Sequence, residues 1–299
     1  MVDAIRHAMG SGAAHGVHLR YAVEALPLGT AGGVRNAADL AGHRVLVLNG
    51  DVLTDLDLTA MLGFHTERQS SATIYLTRVT DPAPYGLVEA GVTGRIERFV
   101  EKPGPADVTT DTINAGVYIL DRALLARIPA GRMVSIEREF FPALLADRLP
   151  CYAWVGDHYW LDIGSSATYL QGQLDLLAGR VATDVRPVGA GTDGRWVAEG
   201  VTLGPGAMIT PPAVIGPGTR IAATGRVGPF AVLGERCSVG RGATVERAVL
   251  WEHVSVGDGV AVRDCIIGAG ARIGAGAVLD AGVVLGPGAR VPDGARLSP

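Results

Sequence analysis

From Leu203 to Leu297 an aliphatic residue recurs at a period of six: Leu203, Ile209, Ile215, Ile221, Val227, Leu233, Val239 and Val245, then Leu250, Val256 and Val262, then Ile267, Ile273, Leu279, Leu285, Val291 and Leu297. Glycine often follows the aliphatic residue and often returns two positions on, as in Leu203-Gly204-Pro205-Gly206 and Ile273-Gly274-Ala275-Gly276. Such a hexad predicts a parallel β-helix. Each repeat supplies a short strand whose aliphatic side chain points to the axis, and Gly and Pro turn the corner. Glycine suits those corners because it reaches φ > 0 without a Cβ clash. Two steps shrink to five residues, Val245 to Leu250 and Val262 to Ile267, and predict tightened corners there.

The first half of the chain has a different rhythm. Arg44 to Asp51 reads RVLVLNGD, a continuous aliphatic run that predicts a parallel strand buried on both faces. Asp51 stands just past its end, where open α/β sheets bind ligands. Asp57 to Gln69 reads as a helix, Ala72 to Val79 as an alternating strand, and Gly86 to Ala90 with Arg95 to Val100 as two short strands around a turn. Ser135, Glu137 and Glu139 ahead of an apolar stretch mark a helix start, with Pro142 blurring its limits. Ser166 to Leu177 reads as an amphipathic helix, and the glycine-rich stretch from Gly179 to Gly200 as a linker. Strands alternating with helices predict the α/β class.

Composition narrows the partners. With 299 residues, 48% of them apolar and 19% charged, the chain is long enough for two well-packed domains. A net charge of −4 and 26 basic residues scattered singly argue against nucleic acid or an anionic membrane. Cys151, Cys237 and Cys265 form no CxxC pair and are odd in number, which fits a reducing compartment. No apolar run approaches the roughly 20 residues of a spanning helix. Residues 1–20 hold Asp3, Arg6, His7, His15 and His18 with no continuous apolar stretch, so no signal peptide is visible and a cytoplasmic protein is expected. The seven histidines lack ligand spacing, and His253 is expected on the β-helix surface.

Several segments, in order, carry a family resemblance: Glu24-Ala25-Leu26-Pro27-Leu28-Gly29-Thr30-Ala31-Gly32, Leu48-Asn49-Gly50-Asp51, Tyr85-Gly86, Glu101-Lys102-Pro103, Asn114-Ala115-Gly116-Val117-Tyr118, Ser135-Ile136-Glu137 with Phe141-Pro142, and Tyr159-Trp160-Leu161-Asp162-Ile163-Gly164. The stretch from Tyr21 to Leu177 thereby resembles the sugar-1-phosphate nucleotidylyltransferases, and most closely the mannose-1-phosphate guanylyltransferases. That resemblance implies transfer of a nucleotidyl group from an NTP, GTP favoured, to a sugar-1-phosphate, mannose-1-phosphate favoured, releasing pyrophosphate. Such a transfer rests on positioning and charge neutralisation.

On the same resemblance, Asp51 and Asp162 would hold Mg²⁺, and Lys102 would meet a phosphate oxygen as the third catalytic group. Glu101, Gly86 and Asn114 would hydrogen-bond the sugar, Glu137 would contact substrate, and Leu28, Gly29 and Thr30 would line the nucleobase slot. Each residue has a plainer reading as well. Asp51 can cap a strand end, Asp162 can close a turn, and Lys102 can be a solvated turn residue. Glu137 can simply face a helix N-terminus.

The family opens with a strand and a GGxGTRL loop followed by a lysine within PKP, and nothing between Met1 and Arg20 matches these. Val2 to Met9 resembles the helix that follows that loop, with His18 to Glu24 as the next strand. The expectation is a chain that continues upstream of Met1 or a degenerate paralogue of doubtful activity. The expected architecture is a Rossmann-like α/β nucleotidyltransferase domain, N-terminally incomplete, over 1–178, a linker over 179–200, and a left-handed parallel β-helix of hexapeptide repeats over 201–299. Substrates are expected to be small molecules, and the β-helix to mediate homo-oligomerisation. Two rivals stay open: a non-catalytic regulatory or scaffold homologue, and a hexapeptide acyltransferase using His253 as base.

Overall fold

A ten-residue strand without a single fully exposed position, Thr112–Asp121, organises the first half of the chain. The computed structural model describes residues 2–100, 104, 108–187, 189, 191 and 193–299. Two compact units emerge: one comprises Met1–Val52 with Leu56–Trp160, the other Leu53–Asp55 with Leu161–Pro299.

In the first unit the strands are β1 (Arg44–Leu48), β2 (Val52–Thr54, which runs into the second unit), β3 (Ala72–Arg78), β4 (Leu87–Ala90), β5 (Ile96–Val100), β6 (Thr112–Asp121) and β7 (Cys151–Val155). The sheet runs β5-β4-β6-β3-β7, and β1 also pairs antiparallel with β6, Leu48 opposite Val117. β3 is buried at six of its seven positions, BBBBBBe along the strand, because β6 and β7 flank it. The helices are α1 (Val2–Met9), α2 (Gly29–Asn36), α3 (Leu58–Glu67), α4 (Arg122–Leu125) and α5 (Phe141–Ala146).

Two sequence expectations fail here. β1 is an edge strand rather than a doubly buried parallel one: among the described residues it pairs only with β6, antiparallel, and Leu46 and Leu48 are 41% and 48% exposed. An aliphatic run reports strand propensity without reporting how many faces are covered. The segment from His18 to Glu24 forms no strand, and α1 buries no residue.

His65 on α3 is 1% exposed, its Nδ1 2.8 Å from Thr73 Oγ1 and its Nε2 3.7 Å from Asp121 Oδ1. Burial lowers its pKa below the ordinary 6.5, with Asp121 opposing and Arg44 adding to the shift. A folded pKa below the unfolded one means the unfolded chain binds more protons. Stability from neutral His65 is therefore complete above pH 6.5 and lost as pH falls below it. Urea unfolding of wild type and His65→Gln at descending pH should show wild type losing stability more steeply below that point; parallel curves would contradict the assignment.

The second unit contains β8 (Trp160–Asp162, begun in the first unit), which pairs with β2 in a separate two-stranded ladder, α6 (Ser166–Leu177) and the β-helix. Ser165 caps α6 with a reciprocal bond to Thr168. The β-helix is three parallel sheets of six strands. The first face runs from Arg195–Val197 to Val284–Leu285, the second from Thr202–Leu203 to Arg290–Val291, and the third from Met208–Ile209 to Arg296–Leu297. The stack begins before Val201, since Arg195–Val197 already pairs with Ala213–Ile215. Val197 is in phase with the hexad, but no glycine follows it.

Inward residues such as Ile215, Val227, Val245 and Ile267 are fully buried. Leu203, in phase with them, is 52% exposed, because its strand is the first of its sheet and has a paired neighbour on one side only among the described residues. At the two five-residue corners Arg247 and Asp264 adopt positive φ, 48° and 49°, and they bond to each other across one coil at 2.7 Å. Cys237 and Cys265 are buried in this core, which pushes both thiols up to about 11 and leaves them as inert packing groups.

Candidate functional site

The site of the first unit is built on an irregularity in β6. Ile74 faces Tyr118 and Leu76 faces Asn114, so β6 takes four steps where β3 takes two. A bulge of this kind re-aims side chains. Gly116 within it has φ of 74°, and a Cβ there would lie 2.7 Å from Asn49 Nδ2, so glycine is required on both counts. Gly116 O accepts from Asn49 N at 2.9 Å, which anchors the end of β1 two residues before Asp51. Trp160 Nε1 donates to Ala115 O at 2.9 Å, and Tyr85 meets the indole edge-on at a ring separation of 5.5 Å.

The bulge orients Asn114. Its backbone N donates to Gly86 O at 2.9 Å, and its Oδ1 accepts from Gly116 N at 3.2 Å. That leaves Nδ2 to donate to Tyr118 Oη at 2.8 Å and to Glu137 Oε1 at 3.4 Å. Tyr118 Oη donates to the same Oε1 at 3.4 Å, and Ser135 Oγ donates to Glu137 Oε2 at 3.2 Å. A carboxylate only accepts, and this one sits half-buried among three donors, poised to accept from hydroxyls as well.

Glu137 reaches that position through a π-helical turn, Ile136–Phe140, ahead of α5. Ser135 caps the turn by accepting from Arg138 N at 3.1 Å. Pro142 has no N–H for the carbonyl four residues back and its ring crowds that carbonyl, so the turn widens before the α-helix begins. The blurred limits expected around Pro142 are this π-to-α change.

The Leu28-Gly29-Thr30 segment is joined to the same turn. Val134 N donates to Leu28 O at 2.8 Å, and Ile136 N donates to Thr30 Oγ1 at 2.8 Å. Gly29 opens α2 at φ of 70°, where a Cβ would meet Val134 O at 2.8 Å. The structure thus gathers Leu28, Gly29, Thr30, Gly86, Asn114 and Glu137 in one unit. Asp51 is exposed in the turn between β1 and β2. Asp162 belongs to the second unit, where its Oδ1 accepts from Gly164 N at 2.8 Å and closes a turn. Glu101 and Lys102 lie outside the described residues.

Sequence reasoning assigned no site role to Asn49, Tyr118 or Trp160, and read Ser135 only as a helix start, which its capping of the π-turn bears out. Tyr118 is legible in retrospect, since it stands four residues after Asn114 on one strand and so shares its face. The roles of Asn49 and Trp160 depend on the bulge and left no local signal.

Comparison with known proteins places this geometry. The sequence pattern of the nucleotidyl transferase family matches residues 3–179, and the chain belongs to that family. Residues 193–297 match the EIF2B subunit epsilon LbH domain. The chain is 41% identical over 201 residues to mannose-1-phosphate guanylyltransferase of Mycobacterium tuberculosis (strain ATCC 25618 / H37Rv), covering 66% of this chain and 55% of that protein. It is 39% identical over 161 residues to the mannose-1-phosphate guanylyltransferase catalytic subunit beta of Dictyostelium discoideum, covering 52% and 44%. A crystal structure of a putative glucose-1-phosphate thymidylyltransferase from Bacillus anthracis shares the fold at a TM-score of 0.53 and 22% identity, over 62% of this chain and 74% of that one. The chain spans about half the length of the curated relatives it matches. Among the described residues, no helix is long and apolar enough to cross a membrane.

Proposed function

We propose that this chain transfers a nucleotidyl group from GTP to mannose-1-phosphate. A phosphate oxygen of the sugar phosphate attacks the α-phosphorus, the new P–O bond forms, and the bond to the β-phosphate breaks, so that GDP-mannose forms and pyrophosphate leaves. The observation that carries this reading is the network of Gly86, Asn114, Tyr118 and Glu137, a carboxylate and an amide held in fixed orientation, as recognition of a sugar's hydroxyls requires. The names of its relatives support the choice of substrates.

Leu28, Gly29 and Thr30 line the base slot, with Glu101 and Lys102 as further contacts to sugar and phosphate. Asp51 and Asp162 offer hard oxygen donors without a soft ligand, a donor set that fits Mg²⁺, and these two would hold it. When bound, the cation neutralises phosphate charge. A cytoplasmic setting accords with three free cysteines. A pyrophosphate-release assay with GTP and mannose-1-phosphate, set against other NTP and sugar-phosphate pairs, tests the reading. Turnover with another pair exceeding this one would overturn the choice of substrates, and release with none would overturn the activity.

Self-association through the β-helix belongs to the same proposal. The outward column of the first face is apolar throughout: Trp196, Val214, Val232, Val249, Ile266 and Val284. Val284 and the neighbouring Trp251 are 50% and 47% exposed. Light scattering should find a multimer that Val284→Glu weakens. A monomeric wild type would count against it.

A further inference from the structure

The second face of the β-helix carries a column of exposed arginines and hydroxyls. At the corners, arginines are matched with carboxylates one coil away or on the same turn: Arg241 with Asp258, Arg247 with Asp264, Arg263 with Glu246, Arg236 with Glu235. Along the second face the outward column reads Thr202, Arg220, Ser238, Ser255, Arg272, Arg290, each in register with the next. Arg220, Arg272 and Arg290 are exposed, and none has a carboxylate partner among the described residues. Arg272 and Arg290 stand at directly opposed positions of neighbouring strands, about 4.8 Å apart. Like charges placed so are destabilising, and no ion pair among the described residues offsets them.

The hydroxyls beside them are directional. Ser238 Oγ donates to Ser255 Oγ at 3.1 Å, so the Ser255 oxygen is used as acceptor and its own hydrogen is left to donate, one strand from Arg272. Two guanidinium forks and one hydroxyl donor thus meet on a flat, rigid surface, where the outward side chains of a sheet stand side by side.

We propose that Ser255, Arg272 and Arg290 form a binding site for a phosphoryl dianion on the outer face of the last three coils. A tetrahedral dianion has the oxygens to accept from both forks and the hydroxyl together, and its charge relieves the repulsion between the two arginines. This site is separate from the nucleotidyl-transfer site and does not depend on that assignment. Free phosphate and a phosphate monoester share the recognised group.

The test is nuclear magnetic resonance of arginine Nε–Hε groups in the full chain, titrated with inorganic phosphate and, in a second arm, with an alkyl phosphate. Chloride at matched ionic strength is the control. Arg226, flanked on the third face by Met208 and Thr244, is the internal reference. The Arg272 and Arg290 resonances should shift together and saturate while Arg226 stays in place. Arg272→Gln should remove the response of Arg290, and Ser255→Ala should weaken it by about tenfold, the loss of one charge-assisted hydrogen bond. An alkyl phosphate that matches inorganic phosphate identifies a site for phosphate esters as well, and one that fails restricts it to the free ion. Shifts in Arg226 parallel to those of the pair, or equal shifts with chloride, overturn the proposal.

Discussion

On the proposed assignment of Asp51 as a metal ligand, Asp51→Asn is expected to cut kcat for the proposed nucleotidyl transfer by about 10²-fold or more, because it removes one full charge from a site that would act electrostatically. The residue is exposed in a turn outside the sheet. Its loss should therefore leave the circular dichroism spectrum and the unfolding midpoint of the wild type in place. Asparagine keeps the size and one acceptor oxygen while losing the charge, so the comparison isolates the charge. If Asp51 and Asp162 share a cation, the apparent Mg²⁺ requirement of Asp51→Asn should rise along with the fall in kcat, and Asp162→Asn should behave in the same way. Wild-type turnover by Asp51→Asn would remove it from the site, and would leave it the strand-end residue of its plainer reading.

The second large effect concerns the β-helix. Ile267→Ala should destabilise the chain by about 2–5 kcal/mol, the range for emptying a buried aliphatic site whose surroundings relax only in part. Ile267 is fully buried with coils on both sides, its strand paired with Val249–Leu250 below and Val284–Leu285 above. Leu203→Ala deletes a comparable side chain at the equivalent hexad phase, yet Leu203 is 52% exposed. Its cost should stay within about 0.5 kcal/mol, as for other surface substitutions. Chemical denaturation of the two variants beside wild type decides the matter, and equal losses would mean that hexad phase rather than coil position sets the energetics. Because each coil contacts only its neighbours, the Ile267→Ala transition should also broaden as the upper coils detach first.

Which parts of this protein were legible before the coordinates follows from how far apart the interacting residues lie. The β-helix is a local code: an aliphatic residue every six positions, a corner after each, and a coil that closes after three strands, so Ile215, Leu233, Leu250 and Ile267 announce their stacking in one dimension. The same holds for α6, where the apolar period and the Ser165 cap lie within a few residues of each other. The family resemblance brought Gly86, Asn114 and Glu137 forward as expected substrate contacts, and the structure joins them by hydrogen bonds.

Tertiary structure alone decided three things. The edge position of β1 depends on which strands pair with it, and a run such as RVLVL has the same composition at an edge as in a centre. The exposure of Leu203 depends on its strand standing first in its sheet, whereas its hexad phase is the same as that of residues inside the stack. The orientation of Asn114 depends on the bulge at Gly116, on Asn49 lying against it, and on Tyr118 and Glu137 meeting the amide from a strand and from a π-turn. None of these leaves a periodic trace, because each is a contact between segments far apart in the chain, set by sheet pairing and backbone geometry rather than by the residues next to it.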